Sequence, residues 1–285
     1  MNGPFRRLAL APVYVVLTLC AVVMALPFAW IVTSSLKTKQ DFFTSRFLPA
    51  GDGFLGVAWD RLTLANYTQL FTQLGIPRAL LNSLFYASVT SVLATLCCAM
   101  GGYALAKYEF RGRGLLTAIV LAALIIPPPL LLAPGYKLLW QLGLLNSYAG
   151  LILPALTPAF GVFLFRQAML NGVPSELIDA ARIDGAGEGR IFFTVALPLV
   201  RPMMGAFLLI TFVGAWNNFI GPQVILQTPE LFPLSVALNN LKGVYGTEYG
   251  LITAGTVVSV APVMCLFLLL QREFISGLTA GAVKG

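Results

Sequence analysis

Charged residues are so sparse along this chain that its pattern is set by what interrupts the apolar runs. Six uncharged apolar segments follow one another, at residues 8–33, 80–106, 115–134, 149–165, 203–222 and 250–270. Each is close to the ~20 residues a helix needs to cross the hydrocarbon of a bilayer. The pattern therefore predicts an all-α membrane protein with six transmembrane helices. Arg6 and Arg7 precede the first run as they would in a signal peptide, but the run far exceeds the ~7–15 apolar residues of such a leader. It is read as a retained anchor. "IIPPPLLLAP" (Ile125 to Pro134) breaks the third segment with three prolines that donate no backbone hydrogen bond. Such breaks survive at membrane depth where protein or a watery cavity covers them. The segment either lines a pathway or kinks against a neighbour, and Pro154, Pro158 and Pro262 pose the same choice.

Composition narrows the class. Of 285 residues 58% are hydrophobic and 10% charged, against about 25% charged in soluble domains. Histidine is absent, which removes the commonest general base and metal ligand and argues against enzymatic chemistry. Cys20, Cys97, Cys98 and Cys265 fall in apolar runs without metal-ligand spacing and read as small core residues. The net charge of +7 is scattered through loops rather than gathered on one face, which excludes a nucleic-acid partner.

Six spans put both termini on one side. The N-terminus, "KYEFRGRG" (Lys107 to Gly114), the region from Arg166 to Arg201 and the C-terminal tail hold eleven of the 18 Lys and Arg, at higher density than the other loops. The positive-inside rule then places these segments, and both termini, in the cytoplasm. None of the six segments contains Asp, Glu, Lys or Arg, which disfavours ion-coupled transport and excludes a voltage sensor. No nucleotide-binding G-x-x-x-x-G-K-[ST] loop is present, and "GAGEGR" (Gly185 to Arg190) lacks the Lys and strand of one. Energy for any transport has to come from a partner.

The polar exception is "SELIDAARIDGAGEGRIFFTVALPLVRP", Ser175 to Pro202. Its first part has the marks of a short helix: Pro174 at the first helical position, Glu176 in the positive first turn, Arg182 in the last turn and Gly185 as a stop. Asp179 and Arg182, three apart, share a face. Ala180 and Ala181 allow close approach of another surface. "GRIFFTVALP" predicts a second short helix with Ile191 and Val195 stacked, ended by Pro198, and Pro202 starts the next span. A solvated connection and a docking element are equally compatible with this pattern.

The same residues carry a resemblance. "DAARIDGAGEGRIFFTVALPLVRP" resembles the EAA loop of ABC importer permeases, E-A-A-x-x-D-G-A followed by a spacer and an aliphatic-x-L-P, with Asp179 standing for the usual Glu one methylene longer. "LPFAWIVTSSLKT" (Leu26 to Thr38), "ANYTQLF" (Ala65 to Phe71), "PGYKLLWQLGLLNSYAGLIL" (Pro134 to Leu153), "WNNF" (Trp216 to Phe219) and "QREFISGLTAGAVKG" (Gln271 to Gly285) are similar to the carbohydrate-uptake branch, specifically to its maltose-permease-G-like subunits. The resemblance covers nearly the whole chain.

It implies a type I importer permease (MetI-like) fold, divided into residues 1–79 (first helix and extracytoplasmic loop), 80–272 (core permease with the EAA loop at 171–201) and 273–285 (cytoplasmic tail). It also implies a second homologous permease subunit, an ATPase dimer that binds ATP and Mg in place of any cofactor on this chain, and an extracytoplasmic solute-binding protein. Glu176, Asp179, Ala180, Ala181, Arg182, Asp184, Gly185 and Ala186 are the implied ATPase-docking residues, with Gly281, Lys284 and Gly285 as a further ATPase contact in the tail. Trp216, Asn217 and Asn218 are candidate substrate-path residues, with an interfacial belt and helix capping as the competing roles. Two rival functions remain: the same fold carrying another solute, such as a glycerol phosphodiester or a peptide, and an ATP-independent channel or scaffold.

Overall fold

A computed structural model describes residues 4–243 and 246–280, with side chains at 12–242, 248–269 and 271. Apart from a two-residue ribbon pairing Lys242–Gly243 with Gly246–Thr247, its regular structure is helical. Three helices, Pro4–Ser35, Ile76–Lys107 and Tyr249–Ala280, have 32 residues each. At 1.5 Å per residue they reach ~48 Å, more than a ~30 Å hydrocarbon layer requires. Three further apolar elements are bent pairs, so the chain has six candidate spans when each pair counts as one.

The bends fall where proline removes a backbone donor. The third segment, read over 115–134 with a break at its prolines, is helical over Arg113–Ala123. The chain then turns by 104° before continuing as Pro128–Gln141. Pro127, Pro128 and Pro129 are the cause, and tight three-residue bonds (Ile125 N to Ala122 O, Ile126 N to Ala123 O) end the helix before them. The fourth element bends by 41° between Tyr148–Ala155 and Ala159–Gly172, ahead of which Pro158 stands at the cap. The fifth segment, expected over 203–222, ends instead at Trp216, and Ile220–Ile225 is a separate short helix.

Two expectations from the sequence need correction. Ala159–Gly172 continues past residue 165, so Arg166 lies within a helix of the fourth element. The reason is that the helix stops at its Gly172–Val173–Pro174 boundary, not at its first charge. The Nε of Arg166 is buried without a hydrogen-bond partner among the described residues. Of the four cysteines, all unpaired, only Cys98 is fully buried; Cys20 and Cys265 are exposed on helix surfaces that the apolar patterning could not tell from core faces.

The chain forms two compact units, Met1–Ile76 with Leu238–Ala261, and Pro77–Ala237 with Pro262–Gly285. In the first, a polar cluster follows the first helix. Lys37 is 1% exposed and donates to the carbonyls of Ser45 (2.9 Å) and Arg46 (3.1 Å). Burial holds its ammonium below the ordinary lysine range, an effect that neighbouring Asp41 partly offsets. Buried Asp41 pairs with Arg61 and accepts from the Thr38 hydroxyl. Asn66 ties this cluster to the end of the first helix by donating to the carbonyls of Ser35 and Lys37.

In the second unit the helices approach closely where glycine replaces a side chain, as membrane helices do in the absence of a hydrophobic driving force between them. A Cβ at Gly102 would lie 2.6 Å from the Arg166 backbone nitrogen, and one at Gly161 2.4 Å from the Phe207 ring. At neighbouring Gly101 the nearest atom would be a Val162 methyl at an ordinary 3.6 Å. Gly102→Ala is therefore expected to destabilise by about 1–3 kcal/mol and to lower the melting temperature of the detergent-solubilised protein by roughly 3–10 °C, while Gly101→Ala leaves it within error. Equal melting temperatures for the two variants would refute the close crossing.

Candidate functional site

The polar insert folds as the sequence leads one to expect, with a shift of one residue at its start. Its first helix is Ser175–Ile183, and Pro174 occupies the cap (φ −59°, ψ 137°) instead of the first helical position. The end is a Schellman motif: Ala186 N–H donates to Ala181 O and Gly185 N–H to Arg182 O, both at 3.0 Å. Gly185 has φ +77°, a left-handed conformation that an L side chain adopts only under strain.

The second helix, Glu188–Leu199, does not stop at Pro198 as expected. A π-helical stretch at Phe192–Ala196 widens the turn, so that Leu197 N–H bonds Phe192 O and the proline is carried without its missing donor. An 83° bend then leads into Arg201–Trp216.

Both helices hang from one apolar core. Ile178 is 2% exposed, Ile191 is fully buried, and Phe192 and Ala196 join them against Cys98, Tyr103, Phe165, Met169 and Phe207 of the spans. The Phe192 and Tyr103 rings are 5.3 Å apart. Ile191 and Val195 do lie on one side, Ile191 in the core and Val195 packed against its edge.

The residues singled out from the sequence divide into two sets. Glu176, Asp179, Ala180, Asp184 and Gly185 are exposed. Ala181 and Ala186 are half-buried and pack against the insert's own core. Arg182 is committed within the chain: its Nη1 donates to Asp179 Oδ1 at 3.1 Å and its Nε to Glu188 Oε1 at 2.8 Å. Gly281, Lys284 and Gly285 lie outside the described residues.

Sequence reasoning missed Tyr108, Lys107, Glu188 and Ile183. Tyr108 shares a side-chain hydrogen bond with Glu188, and its hydroxyl is pushed up to about 12, mainly by burial and then by that carboxylate, so it stays a donor at neutral pH. Lys107 Nζ donates to Val173 O at 2.5 Å and so holds the entry to the first helix. Lys107, Tyr108, Glu109, Asp179, Arg182 and Glu188 border a polar groove of about 630 Å³. Ile183 is 87% exposed, an apolar side chain aimed away from the fold. The signal for Lys107 and Tyr108 was available in "KYE", part of a charged interruption just after the second span. Its distance of some 70 residues from the insert hid the contact. Among the described residues no group of His, Cys, Asp and Glu is arranged to hold a metal ion.

The other candidate set resolves differently. Trp216 is 3% exposed, its ring stacked on Phe212 at 5.8 Å, and Asn217 is the helix C-cap. Asn218 accepts from Gly221 N–H at 3.2 Å through Oδ1, and it borders two cavities of the second unit.

The sequence profile of the family described as binding-protein-dependent transport system inner membrane component matches residues 92–275, which include the whole insert. The chain belongs to that family. This inner membrane component is 43% identical over 225 residues to an arabinooligosaccharides transport system permease protein, AraQ, of Halalkalibacterium halodurans, covering 79% of this chain and 80% of that protein. It is 31% identical over 279 residues to the lactose transport system permease protein LacG of Rhizobium radiobacter, covering 98% of each. A chain of a bacterial ABC transporter involved in the import of the acidic polysaccharide alginate has the same fold, with a TM-score of 0.80 at 21% identity over 96% of this chain and 99% of that one. As a permease subunit, the chain belongs among transport components, not enzymes.

Two outcomes follow for the insert of this permease. Gly185→Ala forces a side chain into the left-handed region with nothing near it to compensate, at a cost of about 1 kcal/mol. Gly189→Ala, inside a helix at ordinary φ, is neutral or stabilising by up to ~1 kcal/mol. Thermal unfolding of the two variants should move in opposite directions. The Arg182 hydrogen bond holds the Glu188 carboxyl below its ordinary value of 4.5. The clasp is therefore intact at neutral pH and is lost only as pH falls below that value. Amide protection across 179–188, corrected for the intrinsic pH dependence of exchange, should hold steady down to pH 5 and fall a few-fold below 4.5, and in Glu188→Gln it should be a few-fold lower throughout.

Proposed function

We propose that the chain is the permease subunit of an ATP-driven, binding-protein-dependent importer of a sugar or oligosaccharide, working by alternating access. Membership of the family supports the binding-protein-dependent part. The named substrates of the relatives, arabinooligosaccharides and lactose, support the carbohydrate. The observation that carries the mechanism is the shared core of insert and spans. Ile178 and Ile191, one from each insert helix, lie in the same buried cluster as Phe165 and Phe207 of the spans, so a load on Ser175–Ile183 has a packed route to them.

In this reading the insert and both termini face the cytoplasm, as the distribution of Lys and Arg indicates. The exposed face of the first insert helix, with Glu176, Asp179, Ala180 and Asp184, together with Leu177 and Ile183, seats in an ATPase that binds ATP and Mg itself. Gly185 sets the angle of the lever, Arg182 and Glu188 keep its two arms together, and Ala181 and Ala186 serve from inside the fold. Gly281, Lys284 and Gly285 in the tail 273–285 make a second ATPase contact. Residues 80–272 form the translocating core and 1–79 an anchor with an extracytoplasmic loop. A second homologous permease subunit and an extracytoplasmic binding protein complete the assembly. ATP binding closes the ATPase pair, draws the inserts together and swings the spans from inward-open to outward-open.

Purification from native membranes should recover a second permease and an ATPase, identified by mass spectrometry. In the reconstituted transporter Gly185→Asp should leave insertion and ATP hydrolysis in place while sugar uptake falls at least about tenfold. Undiminished uptake by that variant, or solute accumulation by the lone chain in liposomes without an ATPase, would overturn the mechanism.

A further inference from the structure

We infer that this chain itself holds a subsite for the transported solute, and that the solute it fits is a neutral oligosaccharide. The inference rests on the carbohydrate reading above and adds where on this subunit the sugar sits.

Two cavities of the second unit adjoin. One, of about 340 Å³, is walled by Tyr86, Thr90, Phe160, Phe207, Thr211 and Asn218. The other, of about 430 Å³, is walled by the element that turns back after the triple proline, including Tyr136, and by Gly221 and Ile225. Leu151, Ala155 and Asn218 border both. Each cavity is within the ~300–1,000 Å³ of small-molecule sites, and the amide of Asn218 is common to both, with Tyr86 and Phe160 on the first and Tyr136 on the second.

Thr90 supplies the second, independent observation. The residue is only 5% exposed, it lines the first cavity, and its side chain makes no hydrogen bond among the described residues. Thr95 of the same helix and Thr211 across the cavity bond the carbonyls four residues before them, Ser91 and Phe207, both at 2.7 Å. A hydroxyl that lines a cavity without such a partner is free to bond a ligand or a water there. Thr90 is 14 residues into the 32-residue helix Ile76–Lys107, ~21 Å along its ~48 Å length, near the midplane where transporters hold their substrates.

The remaining polar groups complement sugar hydroxyls, which both donate and accept. Asn218 Oδ1 is occupied by Gly221 N–H, which leaves its Nδ2 to donate. The Tyr86 hydroxyl donates to Leu231 O at 3.2 Å, and that of Thr211 to Phe207 O, so both keep lone pairs to accept. Tyr86 and Phe160 add aromatic surface to the wall, which suits the C–H face of a sugar. Among the described residues no Asp, Glu, Lys or Arg borders either cavity, so a charged sugar would be desolvated there without a counter-ion from them. The walls are fixed in advance. Asn82 donates to the carbonyls of Glu230 and Phe232, and Ser83 accepts from Leu234 N–H, which pins the segment carrying Pro233 against the second span.

The test uses the assembled transporter in nanodiscs with its loaded binding protein. Cys20, Cys97, Cys98 and Cys265 are first replaced by alanine, and Thr90→Cys, Asn218→Cys and, as an exposed control outside both cavities, Trp140→Cys are introduced singly. Modification by a methanethiosulfonate reagent at positions 90 and 218 should slow about tenfold with a neutral oligosaccharide at ~10 times its Kd, and should not slow with a uronic-acid oligosaccharide; position 140 should be indifferent to both. In the unmodified background Thr90→Val should lower maximal uptake about tenfold, with binding-protein docking unchanged, and Thr90→Ser should restore it. Absence of protection at both cavity positions, or full uptake by Thr90→Val, would overturn the subsite. Loss of the second permease from a Gly214→Phe variant without sugar protection would show that the cavity seats a partner side chain instead. If the wild-type transporter carries no carbohydrate but its true solute protects positions 90 and 218, the carbohydrate reading fails and the cavity as a site survives.

Discussion

Ile178 and Ile191 reach back from two polar helices into the apolar core that Cys98, Phe165 and Phe207 form between the spans. Everything else about the insert depends on that anchorage. Without it Ser175–Ile183 would be a nine-residue helix carrying three charges, well below the ~12–15 residues at which isolated helices hold together in water. The burial of two isoleucines and one phenylalanine, each worth about 1.5–3 kcal/mol, fixes the insert as part of the membrane body. The ion pairs that decorate its surface are secondary: Asp179, Arg182 and Glu188 are each more than a third exposed, and pairs of that kind contribute at most about 1 kcal/mol. They orient the two arms; the apolar contacts hold them.

Proline shapes the remainder. Continuous helices occur where the chain carries isolated prolines in long apolar runs, as at Pro27 and Pro262. Bends occur where prolines cluster or stand beside a cap, as at Pro127 to Pro129 and at Pro158. The π-helical stretch before Pro198 is the intermediate case, in which one widened turn absorbs the missing donor and lets the helix run on to Leu199.

How much of this could be read from sequence follows from the range of the interactions involved. The existence and order of the apolar elements, the short helix after Pro174 and its glycine stop are local matters, set by backbone donors and by φ at single positions, and they were legible. The direction of the chain after Ile126 was not, because three prolines say that a helix ends without saying where the chain goes next. Nor were the inward faces of Ala181 and Ala186, the commitment of Arg182 to Glu188, or the hydrogen bond from Tyr108. Each depends on a neighbour brought in by packing. Asn218 was picked for its chemistry beside Trp216, yet Thr90, a single hydroxyl in an apolar helix, carried no periodic signal at all.

The buried Lys37 cluster bears on how the first unit moves. An ammonium enclosed by the carbonyls of Ser45 and Arg46 lies beside an Asp41 that is itself closed over by Arg61, and losing one partner while the rest of the cluster stayed closed would leave an uncompensated buried charge. Lys39 pairs with Glu248, and Phe42 stacks on Tyr249 at 5.3 Å, so the same knot grips the start of the last helix. The stretch after the first helix is thus a rivet and not a slack tether, and it fastens the end of the first helix to the start of the last.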